Sequence, residues 1–214
     1  MSRLWHCRGW RAPGVRRLWA EKCASQIVEF ALSLPILVFF VVGIFDFSGA
    51  LSLKQKLTNA ARESARVAAA DPANDLIGSS LAMPVSVRDS LQVVDNYLLS
   101  EKLNDCGILG AFPQPTGVLT WTFSAPGNSG NGCPTAGITL IVNRGYYFPQ
   151  AGTAQPSSSC ATVQVPNGQT AIVATCVTLQ YPYQWQFTGV SGLFGGGFLG
   201  PTAITTTAVA FNEN

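Results

Sequence analysis

Residues 24–47, ASQIVEFALSLPILVFFVVGIFDF, hold 16 consecutive uncharged residues, Phe30 to Phe45, between the carboxylates of Glu29 and Asp46. Ile27 and Val28 extend the largely apolar stretch to 19 residues. A bilayer core takes about 20 residues of helix, so this stretch spans one when Glu29 sits near an interface. A cleaved secretory signal is the rival reading, and Ser48 with Ala50 offers small residues at a suitable spacing. Against it, the apolar core is longer than the usual ~7–15 residues of a signal, and Asp46 lies between it and that site.

The charge before this stretch sets its expected orientation. Residues 1–24 carry Arg3, Arg8, Arg11, Arg16, Arg17 and Lys22 against Glu21 alone, a local charge of +5 in a chain of net charge +2. Cations beside a span favour the cytoplasmic side, so the chain after Asp46 is expected outside the cytoplasm. Trp5, Trp10 and Trp19 with their basic neighbours are suited to lipid headgroups. A nucleic-acid-binding arm is the competing reading of a basic tail, and the adjoining apolar run disfavours it.

Cysteine placement agrees with that topology. Cys7 and Cys23 precede the apolar run, and Cys106, Cys133, Cys160 and Cys176 follow it. An even number on the outer side fits two disulfides in an oxidising compartment. Four cysteines allow three pairings; Cys106 with Cys133 and Cys160 with Cys176 is the sequential one. His6 is the single histidine, so an outer Cys2His2 zinc site is excluded, and the widely spaced cysteines do not suit a four-cysteine one. No metal and no cofactor is expected.

The helical pattern continues past the apolar run. In LSLKQKLTNAARESARVAAADP, residues 51–72, Leu53, Leu57, Ala60, Ala61, Ser64 and Ala68 form a stripe of apolar or small residues at spacings of three to four. Asp71-Pro72 ends it, because a residue before proline disfavours the helical region. One continuous helix from about residue 26 to 70 is expected, ~65 Å long at 1.5 Å per residue. A second helix is expected over Val87 to Asn104, with Ser86 as N-cap and Asp89 completing a capping-box-like start.

Beyond Cys106 the runs GVLTWTFS, GITLIVN, TAIVATCVTLQY and TAITTTAVAF read as strands separated by turn residues. The expected fold class is α+β: a long N-terminal transmembrane and spine helix, a second helix, then an antiparallel sheet of four or five strands covered by the spine. The expected segments are 1–24, a basic cytoplasmic leader; 25–46, a transmembrane helix; 47–105, an outer helical region; and 106–214, a β region of the same domain.

Enzymatic chemistry finds few instruments here. Between Cys106 and Asn214 the only charged side chains are Arg144 and Glu213, so the C-terminal half cannot pair two carboxylates across a scissile bond. GGGFLG, residues 195–200, formally matches a dinucleotide-binding GxGxxG, but Pro201 and a strand-like run follow where a helix is required. The surrounding GVSGLFGGGFLG, residues 189–200, is read as a loop with apolar tips that pack on the chain itself or meet a partner subunit or lipid.

The segment from Ser25 to Pro72 resembles the TadE-like minor pseudopilins of the tight-adherence (Tad) pilus system, relatives of the type IV pilins. The resemblance is carried by a Glu-Phe pair opening the apolar run, a Leu-Pro early in it, an Asp-Phe closing it, and the helix NAARESAR after it. It implies a pilin-like fold and a structural, non-enzymatic role: a single-pass inner-membrane protein packed against other pilins and pilus-assembly proteins. It also implies that a prepilin peptidase, reading Ala24, Ser25, Glu29 and Phe30, cuts between Ala24 and Ser25 and leaves Glu29 as fifth residue of the mature chain. Glu29, Pro35 and Asp46 are then the residues expected to govern helix packing and register. An uncleaved single-span protein with an outer binding domain is the alternative.

Overall fold

The computed structural model describes residues 22–72, 76, 83–117, 119–128, 130, 132–133, 136–149, 160, 171–185 and 201–213. The basic residues before Lys22 and the glycine-rich stretch 189–200 lie outside the described residues. The chain divides into two compact units, Met1–Phe45 and Asp46–Asn214.

α1 runs unbroken over Lys22–Ala70, 49 residues with Pro35 inside it. In the second unit the expected stripe is buried, Leu53, Leu57, Ala60, Ala61, Ser64 and Ala68 all facing inward, and Asp46, Ala50, Ala65 and Ala69 are buried with it. The small residues at 60, 61, 64 and 68 let the backbone of α1 lie close to its neighbours. α2, Val85–Ser100, crosses there, and the Ser64 and Ser90 hydroxyls meet at 2.6 Å, with Ser64 Oγ also donating to the Ser90 carbonyl at 3.1 Å. Val87, Leu91, Val94 and Leu98 supply the apolar face of α2.

The start of α2 differs from the expected capping box. Pro84 is the N-cap, in an extended conformation, and the helix receives no capping hydrogen bond from its side chain. The Pro84 carbonyl accepts the Arg88 N–H at 3.0 Å, opening the helix two residues early. Ser86 is consequently inside the first turn with a buried hydroxyl, while Asp89 lies beside Arg88 at 3.5 Å. The fixed φ of proline suits such a helix entrance, and that preference wins over the Ser/Asp pattern.

The end of α2 also comes earlier than Asn104. Lys102 adopts φ 57°, and Leu103 N–H reaches the Leu98 carbonyl at 2.9 Å while Lys102 N–H reaches that of Leu99 at 3.1 Å. These two bonds are a Schellman closure with lysine where glycine is usual. With no glycine to mark it, the sequence reads on as helix. A one-turn 3-10 helix, Ile108–Gly110, then brings Ile108 into the core.

Five antiparallel strands follow in the order β1-β2-β3-β4-β5: Gln114–Gly117, Thr120–Ala125, Ile138–Pro149, Ala171–Pro182 and Ala203–Phe211. Four correspond to the strand-like runs. β1 is short, exposed and contains Pro115, an edge strand without the alternation that marks the others. The run GVLTWTFS accordingly splits: Gly117 closes β1, Leu119 turns with φ 56°, and β2 starts at Thr120.

One face of the sheet packs on α1 and α2. Trp121, Phe123, Leu140, Val142, Val177, Leu179 and Tyr181 join Leu57, Val94, Leu98 and Ile108 in one core. The alternation along each strand puts these residues on a common face, so a register slip of one residue would turn them out. Two disulfides, Cys106–Cys133 and Cys160–Cys176, close the sequential pairing. The first joins the chain just beyond α2 to the β2–β3 connection; the second pins Cys160 beside β4, where Asn143 Nδ2 donates to the Cys160 carbonyl at 2.9 Å.

Candidate functional site

In the first unit, the part of α1 before Asp46 is an apolar helix without a cover. Its most apolar 18-residue window has mean hydropathy 2.5, and none of it is buried. Phe30, Leu32, Ile36, Leu37, Phe40, Ile44 and Phe45 are each 60–75% exposed. A contiguous apolar surface of this kind belongs in lipid or against partner helices, since water would penalise it by roughly 25 cal/mol for each Å². Length and composition suit a membrane crossing.

Of the residues expected to govern cleavage and packing, Ala24, Ser25, Glu29, Phe30, Pro35 and Asp46 all lie on α1. Glu29 is exposed, and among the described residues it has no ion pair. Pro35 interrupts the backbone ladder, because it has no N–H for the carbonyl one turn back. Just before it, Ser33 Oγ donates to the Phe30 carbonyl at 3.1 Å. The helix therefore presents a bare carboxylate near its start and one missing backbone bond six residues later, both on an otherwise apolar rod.

Asp46 has a different setting from Glu29. As first residue of the second unit it is only 6% exposed, and Tyr183 Oη donates to its carboxylate and to its carbonyl, each at 3.0 Å. Gly49, one turn on, makes the approach possible: a Cβ there would lie 3.3 Å from Tyr183 Oη. Trp185 stacks edge-on against Tyr183 with ring centroids 4.9 Å apart and donates its indole N–H to the Pro201 carbonyl at 2.7 Å. The first charged residue after the apolar run is thereby tied to the end of the β4–β5 hairpin. Sequence reasoning missed Tyr183 and Trp185, because 137 positions separate Tyr183 from its carboxylate partner.

Burial, and then the neighbouring Asp46 carboxylate, push the Tyr183 phenol up to about 12. A raised phenol pKa favours the neutral form in the fold. Its contribution to stability is therefore complete below the ordinary value near 10 and is lost as pH rises towards 12. In an alkaline titration followed by tyrosinate absorbance, a phenol ionising near pH 12 should be present in the parent and absent from Tyr183→Phe. If the variant titrates as the parent does, the Asp46–Tyr183 contact is not formed in solution.

A second constellation, also missed, holds the far end of α1. β3 and β4 shift register between Asn143 and Tyr146, and this bulge turns Arg144 inward until it is 1% exposed. Its guanidinium donates to the Ala68 carbonyl, to the Asp71 carbonyl at 2.9 Å and to Thr175 Oγ1 at 2.9 Å. Asn212 completes the group, accepting from Thr175 at 2.7 Å, while Glu213 N–H reaches the Ala69 carbonyl at 3.4 Å. A cation at the negative end of the helix dipole, bonded to its last carbonyls, closes the C-terminus of α1 as a cap. The signal was present: a single cation, in NRG, inside a strand otherwise free of charge.

Among the described residues no group of histidine, cysteine, aspartate or glutamate is placed to hold a metal ion.

Residues 24–66 match the family model described as TadE-like protein. Over those residues the chain is TadE-like. The TadE-like segment takes in the apolar run, Glu29, Phe30, Pro35 and Asp46 and ends on the spine before Ala68, so the sheet and the Arg144 cap lie outside it. The match supports a Tad-pilus-associated protein, and the apolar N-terminal helix has the length and composition of a membrane anchor. No curated protein and no solved structure matches the chain significantly.

Proposed function

We propose that the chain is a minor pseudopilin that helps to initiate or assemble a Tad-type adhesive pilus, acting through its helix on other pilins and on membrane assembly proteins. The observation that carries this reading is the bare apolar half of α1 within the TadE-like segment, with Glu29 exposed near its start. In this account the basic residues before Ser25 stay in the cytoplasm, the apolar run crosses the inner membrane, and Asp46–Asn214 lie outside. A prepilin peptidase cuts between Ala24 and Ser25.

Cleavage gives Glu29 a purpose. The new α-amino group of Ser25 is a cation at the head of an apolar helix. When such helices bundle, the Glu29 of one subunit neutralises the ammonium of its neighbour. Each charge left unpaired in that setting costs several kcal/mol, so the pair penalises misregistered subunits more than it adds net stability. Pro35 shapes the same helix by permitting a bend that neighbours or waters can accommodate.

Glu29→Gln removes the charge at nearly constant shape, and Glu29→Ala also removes the length. Both variants should insert into membranes as the parent does and lower the yield of assembled pili by about tenfold or more, the consequence of losing a few kcal/mol at each subunit contact. Wild-type pilus yields from both would refute the register role.

The alternative, an uncleaved single-span protein with an outer binding domain, is favoured by one residue. Pilin-type leaders usually end in glycine, and here Ala24 takes that place.

A further inference from the structure

We infer that Tyr183 and Trp185 seat the Asp46–Asn214 unit on the lipid surface, forming with Asp46 an aromatic foot at the headgroup level of the outer leaflet. This rests on the reading of Ile27–Phe45 as a membrane span and adds what that reading leaves open: which surface of the outer unit meets the lipid, and through which side chains.

Three observations converge on it. The first is depth. The 19 residues from Ile27 to Phe45 rise about 28 Å as helix, close to the ~30 Å of a hydrocarbon core, so Asp46 falls at its edge. The second is attachment. Tyr183 Oη bonds both the carboxylate and the carbonyl of Asp46, so the hairpin end that carries Tyr183 and Trp185 is fixed at the depth of that residue. The third is chemistry. Tyrosine and tryptophan have apolar bodies and polar tips, and they concentrate where hydrocarbon gives way to headgroups.

Neither ring is fully buried, although each has its polar atom satisfied: Tyr183 by Asp46, Trp185 by the Pro201 carbonyl at 2.7 Å. The pair can therefore enter the interface without stranding a donor. On the helix, Phe47 and Leu51 are 59% and 50% exposed just beyond Asp46. They lie within about 7.5 Å of its level along the axis, a distance comparable to the ~5–7 Å of headgroup region on each side of the bilayer core. Apolar side chains left bare there are solvated by the interface.

A foot of this kind would hold the Tyr183–Trp185 end of the sheet at the headgroups before any pilin partner arrives. The occupant is lipid because the chain enters the unit at Asp46 directly from a run long enough to span a membrane.

The test uses the full-length protein reconstituted in phosphatidylcholine–phosphatidylglycerol vesicles, with nitroxide-labelled lipids as quenchers at headgroup depth and at mid-acyl depth. Emission specific to Trp185 is obtained as the difference between the parent and Trp185→Phe. That difference should be quenched at least about twofold more strongly by the headgroup label than by the mid-acyl label, and hardly at all by aqueous iodide. Gln184→Trp, an added emitter at an exposed position between the two aromatics, should show the same order and covers the case in which Trp185→Phe disturbs the fold.

Flotation separates the two levels of the account. A protein that fails to float with the vesicles overturns the span and the foot together. A protein that floats while Trp185 is quenched by iodide and not by lipid overturns the foot alone. Quenching by neither would mean that protein covers the pair, and overturns it as well.

Discussion

Arg144→Met should lower the unfolding free energy of the Asp46–Asn214 unit by about 3 kcal/mol. The substitution removes the donor from the buried Ala68 carbonyl near the end of α1, and from the part-buried Asp71 carbonyl just beyond it, in a site where the arginine is 1% exposed. Each buried acceptor left without a donor costs roughly 1–3 kcal/mol, and relief from desolvating a cation returns only part of that. Thr175 retains its 2.7 Å bond to Asn212, so it adds little to the loss. For a unit of this size the change corresponds to a fall of roughly 10 °C in melting temperature. Arg144→Lys keeps the charge but not the planar fork that serves several acceptors at once, and should fall between the two. Urea unfolding of the detergent-solubilised protein, followed by circular dichroism, would give the order; equal stability of the methionine variant and the parent would mean that the cap is not what holds α1 to the sheet.

Removing Cys106–Cys133 should have an effect of similar size. The bond closes a loop with a sequence separation of 27, for which chain entropy alone gives about 3.5 kcal/mol, against about 3 for the separation of 16 at Cys160–Cys176. The expected consequence of Cys106→Ser with Cys133→Ser is local as well as global. Without the bond, the segment beyond α2 loses its covalent tie to the β2–β3 connection, and Ile108, fully buried between them, loses its fixed place in the core. Amide exchange should therefore quicken first around residues 104–111. Peptide mapping without reduction checks the premise: a linked pair containing Cys106 and Cys133 is expected, and any other pairing would contradict it.

The spine of this fold was readable from spacing alone. Leu53, Leu57, Ala60, Ala61, Ser64 and Ala68 recur at helical intervals, and one buried face is the physical cause of that recurrence. The strands were readable for the same reason, except β1, whose four exposed residues have no buried face to write a pattern. The ends of α2 were not legible. Pro84 overrode a capping signature, and Lys102 took a left-handed conformation that sequence normally advertises with glycine.

The sites divide in the same way. Glu29, Pro35 and Asp46 stand out because each is an exception within, or at the edge of, an apolar helix. Arg144 stands out too, as the lone cation of its strand, but its meaning depends on a bulge and on two carbonyls more than 70 residues away. Tyr183 and Trp185 have no local signal, since what distinguishes them is the tertiary contact with Asp46. Patterns with a period report faces; partners brought together by the fold leave no period.

The Asp46–Asn214 unit and the apolar helix are suited to different tasks. The unit is stabilised by disulfides, a buried cap and an apolar core, and its C-terminal half carries very few charges. The helix before it has no cover of its own and gains one only from lipid or from other helices. The proposed pilus role would call on both, an apolar helix that packs and a folded unit with a stable core of its own.

The central claim, that a leader is removed to leave Glu29 fifth in a packing helix, is most directly tested by the N-terminal residue and intact mass of the protein from its native membranes, with and without the prepilin peptidase. A protein beginning at Ser25 is expected in the presence of the peptidase, and one still carrying residues 1–24 in its absence. A leader retained in both strains, or a soluble product beginning at Leu51, would contradict it.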